Sequence, residues 1–234
     1  MARVIVVGSI NQDVTVTVDR FPTPGETLSG SSLTYGLGGK GANQAAAAAR
    51  SGIPTLFVGA VGTDLAGHSL RTHLAAHGVD VSHLREVDSP SGTALITVAA
   101  SGENTIILDA GANRASSIAH AKASLFPAPS DIVVLQAEIP PAANAAAIEW
   151  AHSFGARVLL NLAPARATDP ATLSRVDILV VNETEAGLTL GMPAPATPTE
   201  AIGVARALRG MGPRHVVVTL GAQGAAWASG AEAR

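Results

Sequence analysis

The stretch TYGLGGKGANQAAAAARSG, residues 34–52, sets four glycines around Lys40, then Asn43, then a run of alanines. Glycine at such density marks backbone that bends tightly or approaches something closely, and alanine is the strongest helix former. The stretch therefore reads as a bare loop at the N-terminus of a closely packed helix, where unpaired backbone N–H groups favour polar or anionic ligands.

Two familiar phosphate loops fail here. A Walker A loop needs Ser or Thr after its lysine, but Gly41 follows Lys40, and Thr34 stands where the first glycine belongs. Gly36, Gly38 and Gly41 meet the dinucleotide pattern G-x-G-x-x-G literally, yet that fingerprint should leave a buried strand directly. The preceding TLSGSSLTYG alternates like a half-exposed strand, and the buried strand VIVVGS, residues 4–9, lies much earlier.

The rest of the chain supplies the frame. At 234 residues it can bury roughly 70 to 75% of its unfolded surface. A content of 47% hydrophobic and 14% charged residues fits one main domain. A net charge of −3 with 3% aromatics offers neither the basic footprint nor the stacking platforms of a nucleic-acid binder. The absence of cysteine excludes disulfide and thiolate chemistry. No apolar stretch is long enough for a signal peptide or a membrane span, so a cytoplasmic protein is expected.

Short β-branched runs at 4–8, 55–61, 131–135, 157–161, 177–181 and 215–219 alternate with helical patterns at 42–51, 65–77, 142–154, 184–190 and 199–210. Asp64 is placed to cap the second of these helices. Such alternation predicts an α/β fold with a mostly parallel sheet and helices on both faces. Two segments break the rhythm. Strands within 14–35 and 92–109 alternate apolar and polar residues, the second around a turn at residues 101–104, and predict a small antiparallel sheet with one dry face. It is expected to act as a lid, or to pair its open edges with a second copy in a homodimer.

Ligands of open parallel sheets bind beyond the carboxyl ends of the strands. There this sequence places Asn11, Asp13, Gln136, Glu138, Asn161, Asn182, Glu183, Glu185, Thr219 and Gly221. Carboxylates accept two O–H bonds and amides both donate and accept, which suits the vicinal hydroxyls of a sugar. Each residue also has a plainer reading. Asp13 could cap a turn, Glu183 and Glu185 could complement a helix dipole, and His73 with His77, though spaced like metal ligands, could lie on a solvated face.

The segments GSINQD (8–13), FPTPGET (21–27), GGKGANQAAAAARSG (38–52), LDAGAN (108–113), NLAPAR (161–166), NETEA (182–186) and TLGAQG (219–224) occur in the order and approximate spacing of the ribokinase family of carbohydrate kinases, which the chain resembles over nearly its whole length. The resemblance implies transfer of the ATP γ-phosphoryl to the 5-hydroxyl of D-ribose. It implies that Asn11, Asp13, Gly39, Lys40, Asn43 and Glu138 hold the pentose. It implies that Asn182 and Glu185 act near Mg²⁺ and the nucleotide phosphates, with Glu185 toward the metal, and that Thr219, Leu220, Gly221 and Gly224 lie under ATP. It also admits K⁺.

The family's proton acceptor is an aspartate in a late G-A-G-D-like segment, and the sequence ends at Arg234 before any match. No catalytic residue is therefore assigned, and the chain as given is expected to be nearly inactive and prone to aggregation or local opening. Leu162 and Val181 stand where the family usually has proline. A non-catalytic sugar-binding fragment, a kinase for fructose or a nucleoside, and a dinucleotide-binding oxidoreductase are the alternatives.

Overall fold

A computed structural model describes residues 2–166 and 168–234; Met1 and Ala167 lie outside them. Apolar residues in consecutive strand positions demand cover on both faces, which the middle of the main sheet receives, while its strands from Arg157 to Ser229 alternate and are buried on one face. In chain order its strands are β1 (Val4–Val7), β4 (Thr55–Gly62), β5 (Asp80–Val87), β8 (Ile132–Gln136), β9 (Arg157–Asn161), β10 (Ile178–Asn182), β11 (His215–Thr219), β12 (Ala225–Ser229) and β13 (Glu232–Ala233). Their spatial order is β13-β12-β11-β10-β9-β8-β1-β4-β5, parallel except for the β12 and β13 edge. All six strands expected from the sequence are present within one residue at each end. β5 gives no strand signal in the sequence, because its apolar residues are sparse and only Leu84 is fully buried.

Adjacent residues of β1 serve opposite cores. Val6 packs with Ala42, Ala45 and Ala46 of α1 (Lys40–Arg50) and with Leu70 and Leu74 of α2 (Leu65–Ala76). Ile5 and Val7 join the core under α3 (Pro141–Ser153), α5 (Glu183–Leu190) and α6 (Pro198–Gly210). A short α4 (Pro170–Leu173) adds Leu173 to that core. Leu162 and Val181 are buried in it as well, so both departures from the family pattern are apolar packing residues.

The second sheet contains β2 (Asn11–Val18), β3 (Ser32–Gly38), β6 (Gly92–Ala99) and β7 (Asn104–Asp109), in the order β3-β2-β6-β7. It is wider than the expected lid boundaries, since β2 begins at Asn11 and β3 ends at Gly38, while residues 27–31 form no strand. Both outer pairs are antiparallel, and the central pair β2–β6 is parallel. The expected dry face is a correction. Every residue of β7 is exposed, as are Ser32 to Gly36 of β3, because among the described residues nothing covers them; only Leu37 and Gly38, at the end of β3, pack toward α1 and α2. The connecting turn has Gly102 at φ 87°, and the Ala99 N–H bonds the Glu103 carbonyl.

Two side chains tie the sheets together. The Asp64 carboxylate caps α2 through the Gly67 N–H at 2.8 Å and also accepts from the Ser91 N–H and hydroxyl at 2.8 and 2.6 Å, fixing the start of β6. Burial pushes the Asp64 carboxyl up, but those hydrogen bonds together outweigh it and hold it below the usual value. Asn113, from LDAGAN, is buried and accepts from the Ile10 N–H at 2.9 Å. Its amide donates to the Ile10 carbonyl at 3.1 Å and to Asn11 Oδ1 at 2.7 Å. It therefore pins the crossing from β1 into β2.

Candidate active site

The glycines of the opening stretch answer first to the protein's own chain. Gly39 has φ 88°, and a Cβ there would lie 2.8 Å from the Ile10 Cα; at Gly41 it would lie 2.7 Å from the backbone N and O of Ser9. At Gly38 it would enter the Asp13 carboxylate. The loop is bare so that α1 can seat against the β1–β2 crossing while leaving Asp13 room. The expectation of unpaired N–H groups at the α1 N-terminus is corrected for the same reason. The Lys40 N–H donates to Glu138 Oε2 at 2.9 Å, the Gly41 N–H to Ser9 Oγ at 3.2 Å and the Ala42 N–H to the Ser9 carbonyl at 2.9 Å. The Ser9 hydroxyl donates to the same Glu138 oxygen at 2.6 Å, so a carboxylate faces the positive end of the helix.

What the loop does present is side chains. Asp13, Lys40 and Asn43 make no side-chain hydrogen bond with any described residue, and Glu138 keeps Oε1 unengaged there. Asp13 is half-buried; desolvation, reinforced by the nearby Glu138 charge, raises its pKa above the ordinary 3.8. Asn11 is buried and partly committed to Asn113, with its own Nδ2 left over among the described residues.

From Lys40 a cleft of about 570 Å³ runs beside α1 across the sheet to Asn182, Glu185 and Thr219. Half-buried Val4, Ile132, Leu159 and Val180 form its apolar floor. The strand register sets Gln136 beside Asn161, Asn161 beside Val180, and Asn182 beside Thr219. Asn182 and Glu185 form a capping box. Asn182 Oδ1 accepts the Glu185 N–H at 2.8 Å, and Glu185 Oε2 accepts the Asn182 N–H at 2.9 Å. That leaves Glu185 Oε1 and Asn182 Nδ2 unengaged among the described residues, with both residues lining the cleft. The loop after β11 has Gly221 at φ 54° and Gly224 at φ 94°, with the Leu220 N–H bonded to the Gly224 carbonyl. The Leu220 side chain turns into the core under α6, so only its backbone remains near the site.

Other readings fall away. β3, which leads into the glycines, is exposed rather than buried, and this removes the dinucleotide reading. His73 and His77 are exposed, and no group of three or more His, Asp or Glu gathers as a metal cage among the described residues. Sequence reasoning missed Ser9, Gln44 and Asn113 as site-building residues. Ser9 and Asn113 lay inside quoted motifs, but Glu138, which Ser9 bonds, and Ile10, which Asn113 holds, are more than 100 positions away in sequence, beyond the reach of any local pattern.

The chain thus joins a mostly parallel sheet with helices on both sides, a polar rim, a close-packed glycine loop and a smaller second sheet. The pfkB family carbohydrate kinase pattern matches residues 1–234, and the chain belongs to that family. It is 38% identical over 221 residues to a ribokinase of Haemophilus influenzae, covering 94% of this chain and 72% of that one. It is 35% identical over 238 residues to a deoxyribokinase of Salmonella typhi, covering 96% and 74%. The structure of Arabidopsis thaliana ribokinase complexed with ribose and ATP superposes with a TM-score of 0.85 at 32% identity, covering 99% of this chain and 76% of that one. The fold, the family and the class of carbohydrate kinase are thereby established. Among the described residues no helix is long and apolar enough to cross a membrane.

Proposed function

We propose that this chain is the sugar- and nucleotide-binding body of a cytoplasmic kinase that transfers the ATP γ-phosphoryl to the 5-hydroxyl of D-ribose. The observation that carries the reading is Asp13, a half-buried carboxylate with a raised pKa and no hydrogen-bond partner among the described residues. Such a group is costly in isolation, and two sugar hydroxyls would supply what it lacks. Asn11, Lys40, Asn43, Glu138 and the Gly39 backbone surround the same pentose. The nucleotide lies at the far end of the cleft, against Asn182, Thr219, the Leu220 backbone, Gly221 and Gly224.

Mg²⁺ fits as an ion carried by the phosphates, because it is commonly held by one or two carboxylates together with phosphates and waters. Glu185 would be that carboxylate through Oε1, and the ion would neutralise charge on the transferring group. We assign no residue to K⁺ and no described residue to the proton-accepting role. The homodimer reading places a second copy on the small sheet, where Leu33, Tyr35, Leu95, Ile106 and Ile107 are each more than half exposed.

A second acceptor is favoured by one finding, the deoxyribokinase relative. Equilibrium titration with D-ribose, 2-deoxy-D-ribose, D-fructose and adenosine tests the choice. D-ribose is expected to bind most tightly, and tighter binding of any of the others would replace the acceptor.

A further inference from the structure

A line of three side-chain amides crosses the floor of the cleft, and its direction is fixed at one end. The Val180 carbonyl can only accept, so Asn161 must turn its Nδ2 toward it, at 3.1 Å. Asn161 Oδ1 then accepts from Gln44 Nε2 at 3.0 Å. Gln44 Oε1 accepts from Gln136 Nε2 at 2.7 Å. The line ends at Gln136 Oε1, which is buried without a partner among the described residues, its neighbour the bare Gly8 backbone. A Cβ at Gly8 would lie 2.1 Å from that oxygen. A buried acceptor left unmet is a real cost, and reversing the amides to relieve it would set Asn161 Oδ1 against the Val180 carbonyl.

Gln44 and Asn161 line the cleft between Lys40 and Asn182. With its orientation fixed, Asn161 has a second N–H that is not used within the line. We propose that Gln44 is a positioning residue for the nucleotide: it locks the Asn161 amide so that this N–H is presented to a phosphate oxygen in the cleft. The inference rests on the reading of the cleft as the nucleotide site. Gln44 itself need not touch the ligand.

The test is a double-mutant cycle on the whole chain, titrating a non-hydrolysable ATP analogue with Mg²⁺ and, separately, D-ribose. Losing one charge-assisted hydrogen bond corresponds to about a tenfold weakening. Gln44→Leu and Asn161→Ala are each expected to weaken the analogue by about tenfold, and the double variant no more than Asn161→Ala alone. Ribose affinity is expected to stay within about twofold throughout. Should Gln44→Leu fold poorly, Gln44→Glu serves instead. It keeps the acceptor for Gln136 and removes the donor to Asn161, and the same loss is expected.

Unchanged nucleotide affinity, additive losses, or equal losses for ribose and nucleotide would each overturn the proposal, the last by showing that Gln44 only braces α1. Wild-type chain that binds ribose but no nucleotide would overturn it while sparing the sugar site. Wild-type chain that binds neither would remove the functional reading as well.

Discussion

At the N-terminus of α5 the capping partners are three residues apart, Asn182 and Glu185 exchanging backbone N–H groups at 2.8 and 2.9 Å. At the N-terminus of α1 they are remote: Glu138 takes the Lys40 N–H from 98 positions away and the Ser9 hydroxyl from 129. Both helices open onto the same cleft. The first is closed by local chemistry, with side-chain atoms to spare for a ligand. The second exists only when β1, β8 and α1 have come together, and its functional side chains are held in place by tertiary contact. The proposed sugar end should therefore be the more fragile of the two, and the proposed nucleotide end the more tolerant.

The largest effect expected from that contrast follows Gly41→Val. Its side chain would meet the Ser9 backbone, which cannot give way, and a loss of about 3 kcal/mol or more is expected by chemical denaturation. A cost below 1 kcal/mol would break the argument that close approach explains this glycine. Glu138→Ala comes next, because it strips the acceptor from both the Lys40 N–H and the Ser9 hydroxyl. About 2 kcal/mol is expected in the same assay, together with loss of ribose binding. Asn182→Ala removes only one local cap and should cost about 1 kcal/mol. It should weaken nucleotide and leave ribose affinity unchanged; equal effects on both ligands would erase the distinction between the two ends.

The smallest effect concerns pH. Asp13 holds its proton more tightly folded than at the ordinary value of 3.8. Its contribution to stability is therefore complete below that pH and is lost as pH rises through the folded value. Asp13→Asn should flatten this fall and slightly raise Tm at neutral pH, measured by thermal melts between pH 3.5 and 7. A variant whose Tm falls with the same pH slope as wild type would show that another group is responsible.

How much of this was legible follows the same division. The strands, the helices and the Asp64 cap were readable because each is set by neighbours within a few residues. The rim could be listed from strand ends, since parallel strands share one polarity. What could not be read was which partner each polar group had chosen. Asn113 holding Ile10, Ser9 beneath α1 and the Gln44–Gln136–Asn161 line are products of topology. β3 and β7 misled for a different reason. Their alternation implied a dry face, yet among the described residues little lies against them, so their apolar positions are exposed.

The central claim is that the bare loop and Asp13, unpartnered among the described residues, make a pentose site, and calorimetric titration of D-ribose into wild type and Asp13→Ala tests it most directly. The account predicts saturable binding by wild type and its loss in the variant while the fold is retained. A folded wild type that takes up no ribose, or a variant that binds it equally well, would contradict it.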